Sequence, residues 1–392
     1  MGYARTSLKG VMYYDSRRAF NGFTLFTPAE GRGSWLIDMM GRGVNHWETN
    51  YFPGQDARLL PNGNLLYAGK LDNGPVADLE GAGGILMEID WDGNLVWKYE
   101  DPYLHHSFDR LENGNTLVLK WVKVPKDIAR KIKGGDPGSE KNGSMWGDAI
   151  LEIGPSGDKI WEWIAHEHLE PDKMPRCPAC PRDSWTHATS VSQFPDGNLV
   201  LSMAKSNTVA IINRNTGSVT WQWGEGALAH QHCASILDNG NILIFNNGFH
   251  PYGFAWGYSK IMEINPKSNK VVWTYGGGED TTEFYSATMA SCQRLPNGNT
   301  LICEGTTGRI FEVDPHLKMV WEFSNNLPLY APYPAQTRSH MVCSAYRYGH
   351  DYAGLKEAAS SSVKRQAAPG TAEGTEEEIS MTLESRIKGL GY

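Results

Sequence analysis

The hydrophobic pattern of this chain is a repeat. An apolar residue or two leads into an x-Asn/Asp-Gly-Asn turn, and an apolar run follows. The phrase occurs at Leu60-Pro-Asn-Gly-Asn64, Leu111-Glu-Asn-Gly-Asn115, Phe194-Pro-Asp-Gly-Asn198, Leu237-Asp-Asn-Gly-Asn241 and Leu295-Pro-Asn-Gly-Asn299. Asn-Gly or Asp-Gly between apolar runs is a strong hairpin signal, because both central positions accept positive φ. A second phrase follows each copy: a polar turn, then a short strand closing on tryptophan. It ends at Trp97, Trp161, Trp221, Trp273 and Trp321, and Gly31-Arg-Gly-Ser-Trp35 supplies a sixth copy. A unit of roughly 50–60 residues and about four strands is the pattern of a propeller blade. Five full copies and an N-terminal half copy predict an all-β, six-bladed β-propeller. Strands from both ends, residues 23–40 and 340–348, are expected to build the sixth blade and leave no open edge. One tryptophan per unit at one place is expected to pack blade against blade.

Three segments break the period. Residues 124–147 and 164–186 are insertions into a propeller domain spanning residues 1–353. Residues 354–392 form a tail with an Ala/Ser/Gly-rich first part, expected to be disordered. Its end carries a capping box, Thr375-Glu-Glu-Glu378, followed by Ile379, Leu383 and Ile387 at helical spacing. A terminal amphipathic helix after a flexible link docks on its own domain or on a second subunit, so a homo-oligomer is an expected assembly.

Composition narrows the function classes. The chain has 36 basic and 44 acidic residues, a formal net charge of -8 and no basic run. That argues against sequence-independent nucleic-acid binding. No apolar run approaches the roughly 18 residues of a membrane span. The first residues lack a basic-then-apolar signal segment, and scattered cysteines fit reduced core thiols. Together these give a cytoplasmic expectation.

Candidate chemistry comes from repeat register. Histidines stand just ahead of the turns: His105-His106, His187, His230-x-His232 and His340, with Gln55 and, further upstream, His46 ahead of the first turn. Equivalent positions of different blades point at one axis, so His106, His187, His232 and His340 are expected to converge in a central channel, with Gln55 beside them. Converging imidazoles support two chemistries. Neutral nitrogens can ligate a divalent transition metal, the one cofactor this pattern suggests. Alternatively one imidazole is a nucleophile and the others serve as acids, bases or oxyanion donors. Aromatic residues near the channel mouth, Tyr252 and Trp256 among them, suggest a small aromatic substrate. A second cluster, His166-x-His168 with Cys177-x-x-Cys180, has the residue types of a structural zinc site bracing an insertion.

The ordered set of phrases resembles the arylsulfotransferase family of six-bladed propellers over residues 10–350. The matching stretches are Asn21-Gly-Phe-Thr-Leu-Phe-Thr-Pro28, Trp185-Thr-His-Ala-Thr189, Gly226-Ala-Leu-Ala-His-Gln-His232, Ser291 through Gly305, and Phe311-Glu-Val-Asp314. The resemblance implies transfer of a sulfuryl group between phenols by ping-pong through a sulfohistidine, with His106, His187 and His232 in the channel. The Asn expected in the W-T-H-x-N phrase is Thr189 here. The Arg of the next strand is Ala204, with Lys205 adjacent, and the Asp after the last histidine is Cys233. A sulfuryl transition state spreads negative charge over three oxygens, for which Arg and Asn are natural donors. With that clamp altered, three readings stand: an arylsulfotransferase-like enzyme using Gln55, Thr189, Lys205 and His46 as substrate-binding residues; a metal-dependent lyase, hydrolase or oxidoreductase holding its ion on His106, His187, His232 and His340; and a non-catalytic binding platform.

Overall fold

The computed structural model describes residues 9–140, 142–251, 257–277, 284–325 and 340–358. Its strands form six sheets, the blades of a six-bladed β-propeller. Five of them are four-stranded antiparallel meanders in chain order, one carrying an added fifth strand. Leu104–Arg110, Thr116–Lys123, Trp146–Ile153 and Lys159–Ile164 make one such sheet. Ala188–Gln193 through Val219–Trp223 make the next, and His232–Ile236 through Lys270–Gly276 the one after. The sixth sheet takes Gly22–Pro28, Gly33–Ile37 and Gly43–Glu48 from early in the sequence and Val342–Gly349 from far downstream. Phe23 faces Tyr348 and Leu25 faces Tyr346 across that pairing. The pattern did not foresee Gly10–Tyr14, which adds a fifth strand beside Met319–Ser324. Chain contacts divide the protein into two compact units, residues 1–69, 86–99 and 293–392, and residues 70–85 and 100–292.

The repeated turns differ in type from the sequence expectation. In each, the glycine amide donates to the apolar residue three positions earlier, as Gly63 does to Leu60 at 2.9 Å. Only that glycine has positive φ, between +78° and +87° in the five copies. This is a type I turn with a glycine bulge, not a turn with two left-handed residues. The prolines at 61, 195 and 296 explain the choice, since proline fixes φ near −65° at the position where a type I turn wants it.

The last Asn of the turn has a second task. Asn64 donates to Glu88, Asn115 to Glu152, Asn241 to Glu263 and Asn299 to Glu312, at 2.6 to 2.8 Å. Each glutamate comes from the third strand of the same sheet and is buried. A buried carboxylate without donors would cost several kcal/mol, so turn and strand specify each other. Two of the tryptophans on the fourth strands reach the following blade: Trp221 Nε1 donates to Asn269 Oδ1 at 2.6 Å, and Trp321 Nε1 to the Met39 carbonyl at 2.9 Å. Between the sheets of residues 104–223 lies a continuous core including Leu119, Ile150, Trp163, Trp185, Leu199 and Leu201. The insertions of residues 124–147 and 164–186 tie to each other: Arg182 donates to the carbonyls of Ala129 and Ile132 and pairs with Glu140. Among the described residues no helix is long and apolar enough to cross a membrane. The tail helix expected near residues 375–387, and with it the oligomer contact, lies outside the described residues.

Candidate functional site

The three sheets of residues 104–276 lay their first strands side by side, and three histidines meet where those strands begin. The ring of His106 is 4.9 Å from that of His187 and 6.4 Å from that of His232, centroid to centroid. His106 and His187 have left-handed backbone, with φ of +50° and +55°. Non-glycine residues adopt that conformation rarely and at a cost, and such positions gather at functional sites. At His106 the cause is local. The strand bulges between His105 and Phe108, which re-aims the extra side chain. Gly81 faces it with φ of +77°, and a Cβ there would stand 1.9 Å from the His106 ring. Only glycine leaves room for this imidazole.

Behind His106 lies a buried relay. His106 Nδ1 is 2.9 Å from His105 Nδ1. His105 Nε2 is in turn 3.3 Å from Asp148 Oδ1, and the two side chains are fully buried. The two atoms approach each other without forming a hydrogen bond, and neither has a hydrogen-bond partner among the described residues. Beside this buried carboxylate, the proton of the His105 ring is electrostatically favoured on Nε2. That leaves His105 Nδ1 as an acceptor, and His106 must supply its Nδ1 proton to it. The lone pair of His106 Nε2 is then free. Trp121 stacks on the His105 ring at 4.0 Å and fixes its plane. Thr186 Oγ1 donates to the other oxygen of Asp148.

The other two imidazoles are set by similar means. His232 Nδ1 donates to Asn247 Oδ1 at 2.9 Å and lies 3.2 Å from the His230 carbonyl. Asn247 Nδ2 donates to the Ser286 carbonyl at 2.8 Å, which settles which end of the amide faces the ring. So His232 also keeps a bare Nε2. His187 Nδ1 lies 3.1 Å from Ser184 Oγ, and its Nε2 is 4.0 Å from Glu80 Oε2. Lys205 completes the group. Its Nζ donates to Ser184 Oγ and to Asp183 Oδ1, both at 3.0 Å, and it is buried. Residues 204–206 form a short 3-10 turn, so strand alternation does not govern which way Lys205 points.

Burial is the main force on the protonation of these rings. It pushes the His106, His187 and His232 pKa values below the usual imidazole range, the first two far below. Lys205 and the neighbouring rings push His106 and His187 in the same direction. All three imidazoles are neutral at pH 7. In the unfolded chain they titrate near 6.5, so below that pH the unfolded state binds more protons than the folded one. Stability is therefore expected to fall as pH drops from about 6.5 toward the folded-state values. Urea melts at pH 7.5 and 5.5 check this. The acid-induced loss should shrink in His106→Asn, and an equal loss in that variant would show that other groups carry it.

Several sequence expectations change place. Gln55 and His340 belong to the other compact unit. His46 lies on Gly43–Glu48, the outermost strand of its sheet, where its ring stacks on Trp35 at 4.0 Å; the far edge of a blade is the wrong end for a channel residue. The Thr189 hydroxyl is committed within the fold, to Ser202 Oγ at 3.0 Å and the Gln231 carbonyl at 3.1 Å. Tyr252 and Trp256 fall outside the described residues. The zinc expectation is half corrected. Cys177 and Cys180 gather with His230 and His250, all four ligand atoms within 4.8 Å of one another. His168 instead stacks on Trp163 at 5.5 Å, held by the helical turn Ala165–His168 away from the cysteines. His166 sits on that same turn. Among the described residues, the Cys177 group is the only one in which three or more histidine, cysteine or carboxylate side chains bring their ligand atoms within 4.8 Å of one another.

The family model described as "Arylsulfotransferase (ASST)" matches residues 59–326. The chain belongs to the arylsulfotransferase family. The matched span holds the whole histidine group, Lys205 and the Asp148 relay. No curated protein sequence matches the chain. Among solved structures, a protein of unknown function from Bacteroides caccae superposes with a TM-score of 0.52 at 15% identity, over 83% of this chain and 98% of that one. A functionally unknown protein from Desulfotomaculum acetoxidans gives 0.48 at 11% identity, over 84% and 100%. A virginiamycin B lyase from Staphylococcus aureus gives 0.41 at 12% identity, over 72% and 75%. These likenesses are of fold alone. Within the matched span, Lys205 couples electrostatically to His106 and His187.

Proposed function

We propose that the chain transfers a sulfuryl group from an aryl sulfate to a phenolic acceptor, with His106 Nε2 as the transient carrier. One observation carries the choice of His106: its Nδ1 lies 2.9 Å from His105 Nδ1, beside the buried Asp148 carboxylate, an arrangement that favours a bare Nε2. An activated nucleophile needs such an orienting partner. In the first half-reaction an N–S bond forms at His106 as the S–O bond to the donor phenol breaks, and the phenolate departs to be protonated from water. In the second, the acceptor phenol gives its proton to the neutral imidazole of His232 or His187 and attacks sulfur, restoring His106. Lys205 supports the negative charge that grows on the sulfuryl oxygens, the task given to Arg in the family pattern.

The test is turnover of an aryl sulfate in the presence of a second phenol. We expect ping-pong kinetics, insensitivity to chelators over the assay, and acid-labile sulfur label on the peptide containing His106 when the acceptor is withheld. Turnover that collapses at once on metal removal and returns with added metal would favour the metal-dependent reading. Label on another histidine would move the nucleophile.

A further inference from the structure

Outside the relay, the most developed unassigned cluster is the one around Cys177. We propose that Cys177, Cys180, His230 and His250 bind one zinc ion, and that this centre is structural. The distances fit the ion. Cys177 Sγ is 3.6 Å from His250 Nδ1, Cys180 Sγ is 3.6 Å from His230 Nε2, and Cys180 Sγ is 3.7 Å from His250 Nδ1. A tetrahedral zinc with Zn–S of about 2.3 Å and Zn–N of about 2.0–2.1 Å needs sulfur-to-nitrogen edges of about 3.5–3.6 Å. The donor set of two thiolates and two imidazoles suits zinc and disfavours the hard cations magnesium and calcium. Four protein ligands fill a tetrahedron and leave no open position for substrate.

The ligands come from three separate segments. The cysteines stand in the insertion, His230 precedes the strand His232–Ile236, and His250 follows the strand Ile242–Asn246. His230 and His250 both hold left-handed backbone, with φ of +55° and +53°. A metal bond gives a reason for that conformation at both. The backbone already brings the segments together. The Cys177 amide donates to the Lys205 carbonyl at 2.6 Å, and the His230 amide donates to Asn207 Oδ1 at 2.9 Å. Charge also fits. Two thiolates balance one Zn²⁺, and the two thiol protons leave on binding. Buried Arg176 is within electrostatic range of both sulfurs, and its Nε and Nη2 have no hydrogen-bond partner. Three of the four ligands are buried and His250 is exposed, which gives the ion a way in.

The position gives the centre a purpose. His230 lends its carbonyl to His232 Nδ1, and Cys177 holds the carbonyl of Lys205. Zinc would thus pin His232 and Lys205 from outside without touching substrate.

The experiment is metal analysis of the full chain, purified in reductant without chelator and then offered zinc. We expect one zinc per chain. Cys177→Ser, Cys180→Ser and His250→Ala should each lose at least nine-tenths of it, whereas His166→Ala and His168→Ala should keep it. Because a cysteine variant can fail to fold, the wild-type protein is also exchanged with cobalt. Thiolate-to-cobalt charge transfer with tetrahedral ligand-field bands is the expected spectrum. A wild-type chain that takes no zinc, a Cys177–Cys180 disulfide in its place, an octahedral cobalt spectrum, or zinc lost only with His166→Ala would overturn the assignment. Metal content is read without any turnover, so it stands or falls apart from sulfuryl transfer.

Discussion

His106→Ala is expected to lower kcat/KM for an aryl sulfate by roughly ten-thousandfold to a million-fold, the range seen when a covalent nucleophile is removed. The more informative variant is Asp148→Asn. It keeps the shape of the side chain and the contact with Thr186. It can, however, present its amide hydrogens to His105 Nε2, which would then become the acceptor. His105 Nδ1 would carry the proton, and His106 would be driven to the tautomer with Nε2 protonated. Losing the correct tautomer behind a catalytic imidazole costs on the order of ten-thousandfold in kcat. We expect a loss of that order with KM little changed, and with added imidazole restoring part of the rate to His106→Ala but none to Asp148→Asn. Steady-state kinetics with a chromogenic aryl sulfate reads both. If Asp148→Asn retains wild-type kcat, the relay is not what prepares His106.

The largest effect on stability is expected at Arg347. Its guanidinium is fully buried. It donates to Thr24 Oγ1 and to the Phe20 carbonyl, both at 2.7 Å, and lies 3.3 Å from Glu312 Oε2. It also sits over the Trp321 ring at 4.5 Å. Burial pushes its pKa down to about 10, with Glu312 opposing, so it remains charged at pH 7. Arg347→Met removes the charge and leaves Glu312 in the interior with the Phe20 amide and Asn299 as its donors among the described residues. Breaking a buried pair from one side costs about 3–5 kcal/mol. Adding Glu312→Gln should recover much of that loss, because the stranded charge is then gone. Denaturant melts of the two single variants and the double give the coupling. A single-variant loss under ~1 kcal/mol would mean the pair is not desolvated in solution.

Much of the fold was legible because its signals are local. The Asn/Asp-Gly turns and the tryptophan-ended strands each lie within six residues, and together they give the blades. Repeat register pointed to these histidines for the same reason: His106 and His232 stand seven positions before the Asn-Gly of their turns, and His187 nine before its Asp-Gly. What escaped depends on cross-strand register. Trp121 pairs with Asp148 and Leu119 with His105, so the relay is assembled by the ladder between three strands and leaves no mark along the chain. The glutamates of the third strands did leave one, in Met87-Glu-Ile, Leu151-Glu-Ile, Met262-Glu-Ile and Phe311-Glu-Val. That signal pairs with the last Asn of each turn and was open to discovery. The metal ligands misled through proximity in sequence. His166 and His168 stand near the cysteines along the chain, while His250 reaches them only through the fold, 70 residues from Cys180.

The sheet that joins the two ends of the chain also has a timetable. Arg347 lies 323 residues after its partner Thr24. A ribosome working at about 5–20 residues per second needs roughly 16 to 65 s to cover that distance. Throughout that time the strand Gly22–Pro28 waits with one edge unpaired, and all seven of its residues are buried in the finished protein. Such an edge is what other nascent chains can pair with. Among the described strands, Val342–Gly349 is the last to be made, and its arrival is what covers this edge against neighbouring chains.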